Sequence, residues 1–586
     1  MATNILSVGQ SALAAAQVGI STTGHNIANA ATPGYSRQVV VQGAATAQNF
    51  GFGYVGQGVD VSSIQRIYSD FQAAQVRATQ TTQSSLSTYA TQMSQIDNML
   101  ANATSGLSPS LQSFFKGIQD VSANPTSVAS RQAALSSANA LASRFQSMGA
   151  QLDQIRQGVN TQITSSVGEI NSLATQISQL NQGITLAQGA TAAGQPPNDL
   201  MDQRDQLIMD LSKQIKVAVV KQDDGKYNVF IGNGQPLVVG AQTYKLSTVI
   251  SPTDPSKIEV AYNNGGNPFV LSGSALTGGA LGGLVDFRNQ SLEPAQNALG
   301  RIAIGLATTF NAQHKLGQDL NGNLGTDMFA VGVPTVGINA NNTGTASVTA
   351  SISNVSALTT SDYTVQFNGS QYQVTRLADG QVTALTSSPQ TVDGVDFTTV
   401  GVPATGDSFL VRPTVAGAKD FAVKISDTSL LAAAAPIATA APITNTGTGA
   451  ISAGSVNASY LTTPLSSTVT LSYNAGTAEL TGFPATQAVT VTYNGTSTTY
   501  AAGAPVPYTA GATLSFGGIS LVISGIPANG DTFTVAPNTG GVGDSRNAVL
   551  LGALQTTNTL VGGTANYQDA FAQMVASIGN KTHELQ

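Results

Sequence analysis

Three carboxylates, Asp199, Asp202 and Asp205, recur at every third position directly after Pro196-Pro197-Asn198. On a helix this spacing places them on one face, where paired carboxylates can do acid–base work. A proline pair also marks a helix start, and acidic side chains in a first turn meet the positive end of the helix dipole, so the spacing predicts capping. Other chemistry-like patterns are weaker. Gly51–Gly56, GFGYVG, has dinucleotide-loop glycines but precedes the extended-looking VDVSSIQRI instead of opening a helix, which makes them turn glycines. DLNGNLGTD from Asp319 imitates a calcium loop, yet Leu324 stands where such a loop needs glycine, so a solvated turn is expected. His583-Glu584 opens a zinc-protease motif that the sequence does not complete before Gln586. Asn26 and Asn29, three apart near the end of a helical stretch, suit either C-terminal capping or hydrogen bonds to neighbouring chains.

Composition narrows the field further. The 586 residues include no cysteine and only 3 histidines, His25, His314 and His583, which removes thiolate chemistry and leaves no obvious metal set. Charged residues make up 9% of the chain, with a net charge of −7, so nucleic acid and acidic membranes are poor partners. Nor is there an uninterrupted apolar run of membrane-spanning length. The Ala-rich start resembles a signal peptide only superficially, because Arg37 is its first basic residue.

The elements that must carry these residues alternate in type. Residues 4–31 read as a thin Ala-rich helix with Ile5, Val8, Ala12, Ala15, Gly19, Ile20 and Ile27 at threes and fours. So little apolar area should fray in water until other helices cover it. Pro33-Gly34 fits a type II turn, and Tyr35–Val41 then alternates as a strand. Helical spacing returns from Ile64 through Ile67 and Phe71 to Leu100, again at Leu111–Val121, and in a long series from Leu135 to Ile184 that predicts a rod of about 75 Å packed in coiled-coil manner. After Leu211 the period becomes two: KVAVV, Asp224-Gly225, YNVFI, Asn233-Gly234 and PLVV form a β-meander. One helix is expected at 283–313. Thr/Val/Gly-rich strands follow, with an internal repeat: GVPATGDSFLVRP at 401–413 and GIPANGDTFTVAP at 525–537. The Ala/Pro-rich stretch from Leu430 between the copies is expected to be exposed, and helices return at 548–560 and 567–578.

The segment ILSVGQSALAAAQVGISTTGHNIANAATPGYSRQVV resembles the N-terminus of the bacterial flagellar axial family of rod, hook and hook-associated proteins, whose mark is Asn-Ile-Ala-Asn-Ala followed by Thr-x-Gly-Tyr. Residues 196–212 (PPNDLMDQRDQLIMDLS), 282–329 and 545–582 point, within that family, to the hook-associated members. The resemblance implies a structural subunit of the hook–filament junction with no enzymatic activity and no cofactor. Its implied partners are further copies of itself, the hook protein and hook-associated protein 3. It also implies secretion by the flagellar type III apparatus with an export chaperone, bound through a C-terminal helix that members carry beyond the GNKT stretch; the sequence here stops at Gln586.

The expected architecture is therefore an elongated α+β multidomain chain, a coiled-coil-like helical rod with inserted small β-domains and a terminal axial helix. Its parts are 1–60 (axial helix and extended segment), 61–215 (rod, completed by 283–313 and 545–586), 216–282 (β-meander), 340–428 (first β-repeat) and 440–540 (second β-repeat, an outer insertion). Assembly is assigned to packing: small Ala12, Ala15 and Gly19 allow close approach, while Leu13, Ile20 and Ile27 supply apolar contact. Asn26 and Asn29 fix register, and Pro33, Gly34 and Tyr35 turn the chain outward. The alternative reading is a secreted adhesin or glycan-binding protein acting through the β-repeats.

Overall fold

A computed structural model describes residues 3–100, 106–190, 195–263, 265–266 and 268–585. Met1, Ala2 and Gln586, at the ends where the signal-peptide and C-terminal expectations begin, lie outside the described residues. The chain divides into two compact units: Met1–Asp97, Gln154–Glu293 and Ile578–Gln586 form the first, Asn98–Asp153 and Pro294–Ser577 the second. Among the described residues no helix is long and apolar enough to cross a membrane.

In the first unit, helix α1 (Thr3–Ala28) is followed by strand β1 (Gln38–Ala44), a short hairpin of β2 (Gln48–Asn49) and β3 (Tyr54–Val55), and β4 (Val59–Arg66), which returns antiparallel to β1. The expected helix from Ile64 is corrected here: Ile64 pairs with Val40 in this ribbon, and α2 starts only at Asp70 and runs to Leu100. Ile64, Ile67 and Phe71 have helical spacing by coincidence, since the ribbon's own partner strand lies more than twenty residues upstream and is invisible to a local period. The GFGYVG glycines shape the β2–β3 hairpin, with Gly51 at φ +83° and Gly53 at φ +152°.

Helix α3 (Leu107–Ala123) belongs to the second unit, and α4 (Val128–Gly189) enters both. With 62 residues, α4 extends about 93 Å, longer than the apolar series alone indicated, because Ala- and Gln-rich ends continue it without adding to the stripe. Its expected seam is the buried face: Leu135, Phe145, Leu152, Ile163, Ile170 and Ile177 are all interior. Helix α5 (Asn198–Gln214) leads into the meander β5 (Val217–Lys221), β6 (Tyr227–Ile231) and β7 (Gln235–Val239). The single helix expected at 283–313 is instead α6 (Gly279–Phe287) and α7 (Glu293–Lys315), joined by one π-helical turn over Arg288–Leu292.

An aromatic cluster organises the second unit. Phe114 lies against Phe115, Phe310 and Phe329, with ring centroids 5.1–5.5 Å apart, and Phe115 stacks on Tyr567. The repeat detected in the sequence is a repeated β-sandwich. In each copy the first strand pairs with the last, which pairs in turn with the strand that opens the next hairpin: Thr335–Ile338, Ser408–Arg412 and Tyr363–Phe367 in one, Ile437–Ala440, Thr532–Pro537 and Val469–Asn474 in the other. Each sandwich has its own apolar core, centred on Val365, Phe397 and Phe409 or on Leu471, Leu521 and Phe533. The aspartate shared by the two motifs performs one task twice. Asp407 accepts backbone N–H bonds from Thr343, Gly344 and Ala404; Asp531 accepts them from Thr446, Gly447 and Ala528.

The stretch expected to be an exposed linker divides: its second part is exposed around Ala440, Ala441 and Ile443, as expected, while its first part is interior. Leu431, Ala432, Ala433 and Ala434 are buried, and Ile437–Ala440 is a sheet strand. Alanine brings no polar side chain inside, so only the backbone needs partners. The Ala432 N–H donates to His314 Nε2 at 3.0 Å, its carbonyl accepts from Asn547, and Ala434 pairs with Gln318.

Candidate assembly interface

Helix α1 has two different sides. Val8, Ser11, Ala15, Val18 and Thr22 fall on one face, of which Ala15 and Thr22 are buried and the rest partly covered. This face lies on the β1–β4 ribbon. The residues are small because the approach is close: Ser11 Oγ accepts the Val59 N–H at 3.2 Å, and Gly58, at φ +100°, leaves no room for a Cβ against Ser11 and Val8. Ala15, expected to serve helices from other chains, thus faces this chain's own ribbon. Ala12 is exposed, and Gly19 has open space where a side chain would be.

On the other side stand Leu6, Leu13, Ile20 and Ile27, each seventh residue and each 71–79% exposed. At 100° per residue they drift by only about 20° per heptad and centre roughly opposite the covered face. A helix with one apolar side covered by its own chain and a second, heptad-spaced apolar side open has the pattern of a coiled-coil seam. Leu13, Ile20 and Ile27, expected as apolar contacts, are exposed on this stripe together with Leu6, whose seven-residue spacing from Leu13 is readable in the sequence.

The end of α1 is fastened to α5 by a compact polar joint. Asn26 Oδ1 accepts the Tyr35 hydroxyl at 2.7 Å and the Gln38 N–H at 2.9 Å, while its Nδ2 donates to the Gln38 carbonyl. Asn26 therefore has intrachain partners at both ends of its amide. Asn29 donates to the His25 carbonyl and accepts from Thr32, a local helix-end arrangement. Between them the Tyr35 N–H closes on the Thr32 carbonyl at 3.2 Å across Pro33-Gly34, with Gly34 at φ +78° packed on Gln206, where a Cβ would clash. Burial first, and Asp199 next, push the Tyr35 phenol above its ordinary pKa, which keeps the proton it donates to Asn26.

The three carboxylates of α5 complete this joint. Asp199 stands in the first turn of α5, as expected, but no side chain caps that turn, and Asp202 and Asp205 lie beyond it. Asp202 and Asp205 both receive Arg66, at 2.8 and 2.6 Å, with all three side chains nearly buried, and the other oxygen of Asp202 accepts the Ser36 N–H. Burial works against the Arg66 charge, but Asp205 and then Asp202 outweigh it and raise the guanidinium pKa above its ordinary value. Asp199 Oδ1 takes His25 Nε2 at 3.3 Å and Gln38 Nε2 at 2.8 Å. Two side chains that the sequence reading overlooked, Arg66 and Gln38, tie the helix end, the ribbon and α5 together. Arg66 carried one signal: it is one of only two basic residues before Arg77. Beside the joint opens a cleft of about 640 Å³ lined by His25, Asn29, Tyr35, Gln179, Asp199 and Gln203.

Elsewhere the chemistry-like motifs are structural. Asp319 turns its carboxylate onto the Asn321 and Asn323 N–H groups of its own loop, and Glu584 pairs with Lys581. Among the described residues no group of three or more His, Asp or Glu side chains is arranged to hold a metal ion.

Four family models match in succession: the flagella basal body rod protein model over residues 6–35, the helical domain of flagellar hook-associated protein FlgK over 93–329, the D2-like domain of flagellar hook-associated protein 1 over 338–413 and its D3 domain over 436–537. Flagellar hook-associated protein 1 of Escherichia coli (strain K12) is 38% identical over 74% of this chain and 79% of its own length. The chain belongs to the flagellar hook-associated protein 1 family. The same protein of Salmonella typhimurium matches at 38% identity over 74% of this chain and 79% of its own. The flagellar hook junction protein FlgK of Burkholderia pseudomallei superposes with a TM-score of 0.82 at 40% identity, covering 87% of this chain and 96% of that one. The family's role is structural, at the hook–filament junction of the flagellum outside the cell, and this is the role of the chain. The adhesin alternative finds no support in these matches.

Proposed function

We propose that the chain takes its place in the junction by helix packing, the open stripe Leu6, Leu13, Ile20 and Ile27 of α1 being covered by helices of neighbouring subunits. The observation that carries this is the second apolar side of α1, exposed at every seventh position while the first is closed by the chain's own ribbon. Asn26, Asn29, Pro33, Gly34 and Tyr35 act from within the chain: they fix the direction in which α1 leaves the ribbon, so that the stripe is presented at a set angle. The partners we assign are further copies in one layer, the hook protein on one side and hook-associated protein 3 on the other, with type III export and its chaperone preceding assembly. The role is mechanical and needs no catalysis, in keeping with carboxylates that bind the chain's own Arg66, Ser36 and Gln38.

Leu13→Asp tests the reading. The side chain touches no partner in its own chain's core, so folding and secretion should continue, while a desolvated carboxylate in the seam should reduce retention at hook ends by more than tenfold. Hooks that acquire filaments at the normal frequency in this variant would show that the stripe is not the assembly surface.

A further inference from the structure

Before Arg77 the chain offers two cations, and one of them, Arg66, is sealed against Asp202 and Asp205. The other, Arg37, is exposed where the turn after α1 enters β1, and its side chain has no ion pair or hydrogen bond among the described residues. Its neighbour Gln38 points inward to Asp199, so the alternation of an extended segment turns Arg37 away from the joint. The joint itself has the opposite vacancy. Asp199 is 59% exposed, and both of its contacts use Oδ1, leaving Oδ2 at the rim of the cleft without a partner among the described residues. Beside it Gln179 and Gln203 are exposed amides whose carbonyl oxygens can accept from a guanidinium.

We propose that Arg37 of one copy enters the cleft of a second copy of this chain, its guanidinium bridging Asp199 Oδ2 and the amide carbonyls of Gln179 and Gln203. Donor and acceptor lie on different sides of the same joint, so each copy gives one contact and receives one. A head-to-tail contact of this kind propagates as a ring or a helix. A guanidinium suits the cleft because its planar fork can meet a carboxylate and flanking carbonyls at once, which a lysine ammonium cannot do in one plane. The inference rests on the reading of the chain as a subunit of a multi-copy layer, and it adds which surface meets which.

The test uses the absence of cysteine from the chain. Full-length Arg37→Cys and Asp199→Cys chains, carrying tags of different size, are co-expressed in cells whose hooks lack the native protein, and isolated hooks are treated with a short bis-maleimide. A cross-linked pair containing one chain of each kind is expected on hooks and not in the secreted monomer. Hooks that carry both variants and yield no mixed pair overturn the proposal; hooks that carry neither variant, nor the unmodified chain, count against the junction role itself. Arg37→Glu provides a second reading, because the Arg37 side chain holds nothing among the described residues while its carbonyl, which accepts the Ile67 N–H, is unchanged. Occupancy of hook ends should fall about fivefold at low salt and the difference should shrink in high salt, as for an exposed ion pair. Unchanged occupancy at low salt would also overturn it.

Discussion

Replacing Arg66 by methionine removes the cation from a site where Asp202 and Asp205 stay behind, with side-chain exposures of 6% and 10%. Breaking one side of a buried ion pair costs about 3–5 kcal/mol, because the remaining charge has lost both water and partner. At 1.36 kcal/mol per factor of ten this amounts to about 10²–10⁴ in the opening equilibrium of the joint. Hydrogen exchange resolves it locally: the Ser36 N–H, which donates to Asp202, and the Gln38 N–H, which donates to Asn26, should exchange faster by that factor, while the β-sandwich amides keep their rates. The pH dependence follows in sign. Burial already raises the Asp205 carboxyl above its ordinary pKa against the pull of Arg66, and removing Arg66 raises it further, so the folded joint binds the extra proton and the defect is largest at neutral pH and shrinks toward pH 5. Adding Asp202→Asn and Asp205→Asn should return much of the protection at pH 7. Wild-type exchange at Ser36 and Gln38 in the single variant would refute the view that Arg66 holds the joint closed.

Acid should weaken the second unit through His314, whose pKa is lowered to about 4, by burial first, against the pull of its hydrogen bond to the Thr326 carbonyl. The neutral ring donates from Nδ1 to Thr326 and accepts at Nε2 from Ala432, and a proton on Nε2 destroys the second bond. Because the folded pKa is depressed, this contribution is complete above the unfolded value near 6.5 and is lost as pH falls toward 4. About 2–3 kcal/mol should disappear between pH 7 and pH 4.5, read from urea midpoints, and His314→Gln should flatten that slope. Asp407→Ala and Asp531→Ala should each loosen one sandwich and leave the other alone, seen as faster exchange at Thr343-Gly344 or at Thr446-Gly447. Their carboxyl pKa values are held below the ordinary one, for Asp407 chiefly by the Ala404 N–H and for Asp531 by three backbone N–H groups that outweigh burial. Acid should therefore reproduce both defects.

Much of the α+β multidomain character was legible because its signals are local. The α4 seam repeats for about fifty residues, Asp224-Gly225 and Asn233-Gly234 mark tight turns, and the sandwich repeat keeps Gly-Asp in place because one carboxylate must meet three N–H groups. What escaped was long-range. Ile64 joins a strand because Val40 lies opposite, and Leu431–Ala434 is interior because His314, Gln318 and Asn547 supply its backbone with partners. The aspartates of α5 looked like a first-turn cap until Arg66 arrived from more than a hundred residues upstream. At the assembly surface, Leu13, Ile20 and Ile27 could be named from their type and spacing. The task of Asn26, by contrast, depends on Tyr35 and Gln38 folding back onto it.

The central claim is that the outer stripe of α1 stays open in the single chain and is closed only by neighbours. A Leu13→Cys chain, otherwise free of cysteine, can be labelled with a maleimide in the secreted monomer and again on isolated hooks. The account predicts rapid labelling in the monomer and a drop of at least tenfold in rate after assembly. Equal rates in the two states would contradict it.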